Sequence, residues 1–257
     1  ERFGLKKLIS TSFAPDSKLY KSNYQPTLFE TANPQFDEKK TITNGKIFTL
    51  DHDTSGDGKI DVNDLEWTYL KGDGDFNSPE IKKLRDEADI IITNPPFSLF
   101  RDFLAWIIEA DKQFVIIGNK NAIKYKNLFP LIQENKIWLG AGKNDGRNVW
   151  YQVPDNFDNF HKEEDGKKYA FVAGTIWFTN IDHGRRHQPL PLMTEADVIK
   201  FGTKKTFEKY ENYDAIDVPF VKHIPSDYKG IMGVPISFLS KHSPEQFEII
   251  WQASGNT

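Results

Sequence analysis

The spacing of apolar positions changes twice in the middle of the chain. Residues 88–93 (Ala-Asp-Ile-Ile-Ile-Thr) form a continuous β-branched run, which predicts a strand buried on both faces. Asn94, Pro95, Pro96 and Phe97 break that run. Phe100, Phe103, Leu104, Ile107 and Ile108 then recur at i, i+3, i+4, i+7 and i+8, which predicts an amphipathic helix with Ser98 as N-cap and Asp111-Lys112 at its end. Residues 114–117 are again continuously apolar and predict a second buried strand, closed by Gly118. Strand, loop, helix, strand is a βαβ unit. The fold class read from it is α/β, with a mostly parallel sheet and helices on its faces.

Around this centre the pattern is weaker. Residues 4–9 predict a short strand, and 137–139 and 175–179 predict two more. Residues 14–45, with Pro15, Pro26 and Pro34, read as irregular. Residues 140–169 turn polar and aromatic, which suits an extended loop or a hairpin insertion. Residues 184–230 read as a less regular region, and 236–239 and 247–251 as late strands. No internal repeat is present. The chain opens without a start methionine or a capped first element and stops just after a strand-like run. Both features predict further segments beyond this sequence.

Composition narrows the function classes. The 257 residues suit one large or two small domains, and 38% hydrophobic with 27% charged residues is ordinary for a globular protein. No run approaches the roughly 18 apolar residues of a membrane span, and the first ten residues resemble no targeting peptide, so a cytoplasmic location is expected. Cysteine is absent, which excludes disulfide scaffolds, cysteine-ligated metals and cysteine nucleophiles. The net charge of −4 is uneven: +3 over residues 1–50, −7 over 51–90, +3 over 91–150 and −3 over 151–257. An acidic total leaves room for a local basic cleft.

The sharpest chemical feature is Asn94-Pro95-Pro96-Phe97 at the end of a strand, where open α/β sheets bind ligands. An amide side chain and the next backbone carbonyl, held by two prolines, aim two acceptors at one point. They suit both protons of an exocyclic amine, and the aromatic ring beside them suits a flat base. Methylation at cytosine carbon 5 needs a cysteine and is excluded. The plainer reading is a turn with a polyproline-like exit.

The tetrapeptide resembles the catalytic motif of S-adenosylmethionine-dependent amino methyltransferases. With residues 69–76 (YLKGDGDF), 93–100 (TNPPFSLF), 114–123 (FVIIGNKNAI), 177–187 (WFTNIDHGRRH) and 232–239 (MGVPISFL), the chain resembles EcoRI-type adenine-N6 DNA methyltransferases over most of its length. The resemblance implies a Rossmann-like methyltransferase core, a less regular DNA-recognition region, and a flipped adenine in double-stranded DNA as substrate. It implies that Asn94 and Pro95 hold the N6 amino group, with Pro96 stiffening the loop, and that Phe97 stacks on the base. Asp75 and Phe76, with Asp73 as a weaker member, resemble the loop that contacts the cofactor's adenine. In that family the first strand and the cofactor-binding turn precede a segment like residues 5–9. Here Ser10, Thr11 and Ser12 stand where an acidic residue often holds the cofactor ribose. The domain reading is a core over 1–139, carrying an insertion at 51–66, and remaining core strands with the recognition region over 140–257.

Other features compete. Residues 53–64 read as a twelve-residue calcium loop. Its ligand positions are Asp53, Ser55, Asp57, Lys59 (through its backbone carbonyl), Asp61 and Asp64, with Gly58 at the sharp turn. The alternative is a solvated acidic loop. His183 and His187 have the spacing of a helical metal pair but no third ligand nearby. Asn119, Lys120 and Asn121 follow the second buried strand and are candidates for a DNA groove. Arg185 and Arg186 are candidates for phosphate or base contacts, against plain surface charge. Lys204 and Lys205 read as solvated. The leading reading is an adenine-N6 DNA methyltransferase of the restriction-modification type; the sequence leaves its oligomeric state open, with a monomer slightly favoured, and does not reveal whether a restriction enzyme is its partner. The alternatives are a truncated or cofactor-less DNA-binding remnant, a methyltransferase acting on RNA or a protein glutamine, and a calcium-stabilised module.

Overall fold

The computed structural model of the protein describes residues 5–14, 28–141, 150–171, 173–201 and 207–253. Pro15 and Pro26 of the segment read as irregular lie outside them, as do Lys204 and Lys205. The chain divides into two compact units, Glu1–Ala88 and Asp89–Thr257.

The first unit contains β1 (Leu8–Ser12), α1 (Leu28–Thr31), α2 (Glu38–Thr43), β2 (Lys46–Leu50), β3 (Glu66–Tyr69) and α3 (Pro79–Glu87). Its sheet is antiparallel, in the order β1-β2-β3. The expected strand at 4–9 is thus shifted toward the serine-threonine run. Two short helices occupy part of the segment expected to be irregular. α2 is capped by Asp37, whose carboxylate accepts from the Lys40 N–H at 2.9 Å. Trp67 and Leu70 are buried, and the Tyr69 hydroxyl meets the buried Thr41 hydroxyl at 2.6 Å. Ser78 caps α3, and Pro79, which has no N–H to satisfy, opens it.

The second unit starts with the expected βαβ. β4 (Ile90–Thr93) leads through a 3-10 turn at Phe97–Leu99 into α4 (Phe100–Glu109), and β5 (Gln113–Asn119) returns parallel to β4. α4 buries Phe100, Leu104 and Ile107 of the predicted stripe, while Phe103 is half-buried and Ile108 exposed; Trp106, which the spacing left out, is buried as well. Leu99, not Ser98, occupies its N-cap position, and Ser98 falls within the 3-10 turn. Asp111 leaves the helix with φ 49°.

α5 (Phe129–Gln133) and β6 (Trp138–Leu139) follow, and β10 (Thr175–Thr179) completes a sheet ordered β4-β5-β10-β6. β10 runs antiparallel to both of its neighbours. The sheet in the described residues is therefore mixed rather than mostly parallel. The cause is topological: the chain leaves β6 at one end of the sheet and re-enters β10 at that same end, so β10 must run back. The intervening stretch carries its own antiparallel sheet of β7 (Trp150–Val153), β8 (Lys162–Glu164) and β9 (Lys167–Phe171), in the order β7-β9-β8.

β4 is also not buried on both faces. It is the outermost strand of its sheet, and Ile92 is 70% exposed. The sheet's core lies on the other face, through Phe114, Ile116, Ile176 and Phe178.

The remainder folds around a second apolar cluster of Ile216, Val218, Ile224 and Phe238. It contains α6 (Glu195–Phe201), β11 (Ala215–Asp217) and β12 (Ile231–Gly233), the last two paired in parallel. The late strands expected at 236–239 and 247–251 do not form. Residues Ile236–Lys241 make a 3-10 helix after Pro235, and Phe247 packs edge-on against Phe238.

Candidate active site

The Asn94–Phe97 loop leaves β4 at the carboxyl end of the parallel pair. Pro95 is buried and Asn94 is exposed. The Pro96 carbonyl accepts from the Leu99 N–H at 2.9 Å and closes the 3-10 turn. Directly beyond, Phe100 presses on β5 at Gly118, where a Cβ would stand 2.4 Å from the ring. Glycine is the residue that admits this contact, which pins the downstream end of the loop. The Asn94 amide makes no hydrogen bond with any described residue, and Phe97 is 38% exposed. The loop thus offers an unused amide and an accessible ring on a backbone stiffened by two prolines and a buried anchor.

Asn119, Lys120 and Asn121 stand at the same end of the sheet, since β5 parallels β4. The Asn119 side chain accepts from the Asn121 N–H at 2.9 Å and caps the 3-10 turn Lys120–Lys124. Its oxygen is therefore committed to structure. Lys120 and Asn121 are exposed.

Arg185 and Arg186 lie along the far edge, beside β6. The Arg186 guanidinium stacks on Trp138 at 3.9 Å and donates to Asn135 Oδ1 at 3.1 Å. Arg185 Nη1 is 3.4 Å from the Ala141 carbonyl. His183 and His187 do not face one another as a metal pair. His183 Nε2–H donates to the Leu139 carbonyl at 3.0 Å. His187 lies between two carboxylates, with Nδ1 at 2.6 Å from Glu245 and Nε2 at 2.8 Å from Asp182. The Glu245 and Asp182 hydrogen bonds hold the imidazolium above its ordinary pKa, and both carboxylates are lowered in turn. Sequence reading missed this cluster and the Trp138–Arg186 stack. Glu245 is 58 residues from His187 and carries no local signature.

In the first unit, Asp73, Asp75 and Phe76 form the loop after β3. Asp73 Oδ1 accepts from the Asp75 N–H at 3.0 Å, and Asp75 Oδ1 from the Asn77 N–H at 2.7 Å. The Asp73 carbonyl accepts from Ala14 at 2.7 Å, and Phe76 is buried. One oxygen of each carboxylate is thus taken by an amide of its own loop; a carboxylate has two oxygens and about four acceptor sites, so the pair keeps capacity for the hydroxyl and amine hydrogens of an adenosine, beside the Phe76 ring.

The expected calcium loop is organised differently. Asp64 Oδ1 accepts from the Thr54 and Ser55 N–H groups at 2.9 and 2.8 Å, and Oδ2 from the Asp61 N–H at 2.9 Å. Asp53 takes the N–H groups of Gly56 and Gly58. Asp57 and Asp61 cap their own turns at Lys59 and Asn63. Backbone N–H bonds hold the Asp64 carboxyl well below the usual carboxylate range. The acidic side chains are spent on the loop's own amides. Among the described residues no group of three or more acidic or histidine side chains is arranged to hold a metal. The calcium expectation, with Asp53, Ser55, Asp57, Lys59, Asp61 and Asp64 as its ligands, is not supported. No helix among the described residues is long and apolar enough to cross a membrane.

The sequence model of the family described as adenine-specific methyltransferase EcoRI matches residues 1–257. The type II methyltransferase M.EcoRI of Escherichia coli is 40% identical over 97% of this chain and 71% of its own length. The type II methyltransferase M.MpnI of Mycoplasma pneumoniae is 35% identical over 96% of this chain and 66% of its own. For M.MgeORF184P of Mycoplasma genitalium the values are 36%, 74% and 60%. The chain thus spans between three fifths and about seven tenths of the length of these relatives. No solved structure matches it.

Proposed function

Because the chain belongs to the EcoRI family of adenine-specific methyltransferases, we propose that it transfers a methyl group from S-adenosylmethionine to N6 of a flipped adenine in double-stranded DNA. The observation that carries this reading is the unspent Asn94 amide on a proline-stiffened loop at a strand's carboxyl end.

Asn94 Oδ1 and the Pro95 carbonyl accept the two N6 protons. That draws the nitrogen toward tetrahedral geometry and turns its lone pair outward. The acceptors strengthen as positive charge develops on nitrogen, so they favour the transition state over the ground state. Phe97 stacks on the adenine and offsets part of the few kcal/mol that flipping costs. Pro96 fixes the exit of the loop. S-adenosylmethionine supplies an electrophilic methyl group when bound. Asp73 and Asp75 would hold its adenosine through hydroxyl and amine hydrogens, beside Phe76. The β4-α4-β5 unit is the piece of a Rossmann-like core that this reading requires.

On the DNA side, Lys120 and Asn121 flank the target at β5, Asn119 shapes their turn, and Arg185 and Arg186 meet the duplex at the β6 edge. The division at 139/140 then separates the chemistry from the inserted β7-β9-β8 sheet and the recognition region after it. The test is nucleoside mass spectrometry of unmethylated DNA incubated with the chain and S-adenosylmethionine. N6-methyladenine is the expected product. N4-methylcytosine, or methylation of RNA or of a glutamine peptide in its place, contradicts the reading.

A further inference from the structure

Four successive carbonyls lead from the end of β3 into the Asp73–Phe76 loop, and each accepts from a donor elsewhere in the first unit. The Asn44 amide donates to Leu70 O at 2.8 Å and to Lys71 O at 3.3 Å. The Gly45 N–H donates to Gly72 O at 2.9 Å, and the Ala14 N–H to Asp73 O at 2.7 Å. Three of these four bonds come from one dipeptide, Asn44-Gly45, at the junction of α2 and β2.

Each member of that dipeptide is fitted to the task. The Thr43 hydroxyl donates to Asn44 Oδ1 at 2.7 Å, which turns the amide nitrogen toward the two carbonyls. The C-cap of α2 uses the Asn44 backbone N–H, bonded to Lys40 O at 2.9 Å, so the cap does not depend on the side chain. At Gly45 a Cβ would stand 2.5 Å from the Ser12 carbonyl oxygen and 3.0 Å from the Asp73 carbonyl carbon. Glycine lets the backbone approach that closely. From the other side, the Glu80 carboxylate of α3 accepts from the Lys71 N–H at 2.9 Å. Leu70 at the start of this stretch and Phe76 at its end are buried. The arm that carries Asp73 and Asp75 is thus fixed by the protein itself.

Resting on the reading of Asp73 and Asp75 as acceptors for S-adenosylmethionine, we propose that Asn44 is a positioning residue for that cofactor. It acts through the backbone of residues 70–72 rather than by contact. A loop fixed in advance loses less conformational freedom on binding, so Asn44 sets affinity for the cofactor and leaves the transfer step alone.

The experiment is equilibrium dialysis of radiolabelled S-adenosylmethionine against the full chain, for the parent, Asn44→Ala, Asn44→Asp, Glu80→Ala and Asp75→Ala. Steady-state methylation of unmethylated DNA and amide hydrogen exchange of the cofactor-free protein accompany it. Asn44→Ala is expected to raise Kd and the cofactor KM about tenfold, the scale of lost hydrogen bonds. Its kcat at saturating cofactor is held, and faster exchange is confined to the amides of residues 71–77. Asn44→Asp keeps the shape and the acceptor for Thr43 but cannot donate to the carbonyls, so it weakens binding as Asn44→Ala does. Glu80→Ala frees the same arm from α3 without touching α2, and raises Kd in the same direction by less. A fall in kcat or melting temperature at the parent's Kd and KM is what a merely structural bond gives, and overturns the proposal. So does parent-like binding by Asn44→Asp. If Asp75→Ala also binds like the parent, the reading of the loop as cofactor-binding falls with it. If Asp75→Ala binds weakly and Asn44→Ala binds like the parent, the positioning role alone falls. A parent that does not take up S-adenosylmethionine overturns both.

Discussion

Two loops of this protein carry dense polar motifs, and they spend them in opposite ways. In residues 53–64 the carboxylates of Asp53 and Asp64 are taken up by backbone N–H groups of the same loop. In residues 94–97 the Asn94 amide meets no described partner, and the two prolines that follow it have no N–H to offer its oxygen. Glycines at φ 78° and 81° let the first loop wrap onto its own acids. Prolines stop the second from doing the same. A motif whose polar groups are mutually satisfied stabilises a turn, and one that keeps an acceptor in reserve can hold a substrate.

The largest effect expected from this contrast is at Asn94. Removing one preorganised acceptor by Asn94→Ala lowers the methylation rate by about two to three orders of magnitude, read in single turnover. Asn94→Asp keeps an acceptor oxygen and loses less. Phe97→Ala removes a stacking surface worth about 1–3 kcal/mol per base. A loss of kcat/KM of about five- to 160-fold follows, with the melting temperature held.

The self-satisfied loop is expected to behave in reverse. The Asp64 carboxyl is lowered in the folded state, so its stabilisation is present above the unfolded carboxylate value near 4 and is lost as pH falls below it. Asp64→Asn lowers the melting temperature at pH 7 by several degrees and flattens the loss of stability below pH 4. Added calcium leaves the melting temperature of the parent unchanged. A calcium-dependent rise would break the comparison.

The smallest expected effect is at His187, whose pKa is raised by Glu245 and Asp182. Its contribution is fully present below the unfolded value near 6.5 and fades as pH rises through the higher folded value. His187→Gln therefore narrows the difference in melting temperature between pH 6 and pH 9, a modest change because the cluster is solvent-screened.

Legibility in the sequence followed the range of the interactions. The β4-α4-β5 unit was readable because the apolar stripe of α4 and the runs of both strands are local patterns. The place of the Asn94–Phe97 loop between strand and helix was readable because two prolines in sequence break both patterns locally. The direction of β10 was not, because it depends on where the chain re-enters the sheet after residues 140–174. Ile90 and Ile92 read as core residues, since a strand's sequence does not reveal that it lies at a sheet's edge. The strand expected at 236–239 failed because Pro235 and the packing of Phe238 against Phe247 favour a tight helix over pairing. The calcium reading matched oxygen positions and could not see which amides those oxygens would meet. Asp182, His187 and Glu245 gather only through tertiary structure.

The most direct test of the contrast measures melting temperature and single-turnover methylation on the same preparations of Asn94→Ala and Asp64→Asn. The account predicts a crossover: Asn94→Ala melts with the parent and methylates at least a hundredfold more slowly, while Asp64→Asn melts earlier and methylates at the parent's rate. Parent-like methylation by Asn94→Ala, or a fall in its melting temperature matching that of Asp64→Asn, would contradict it.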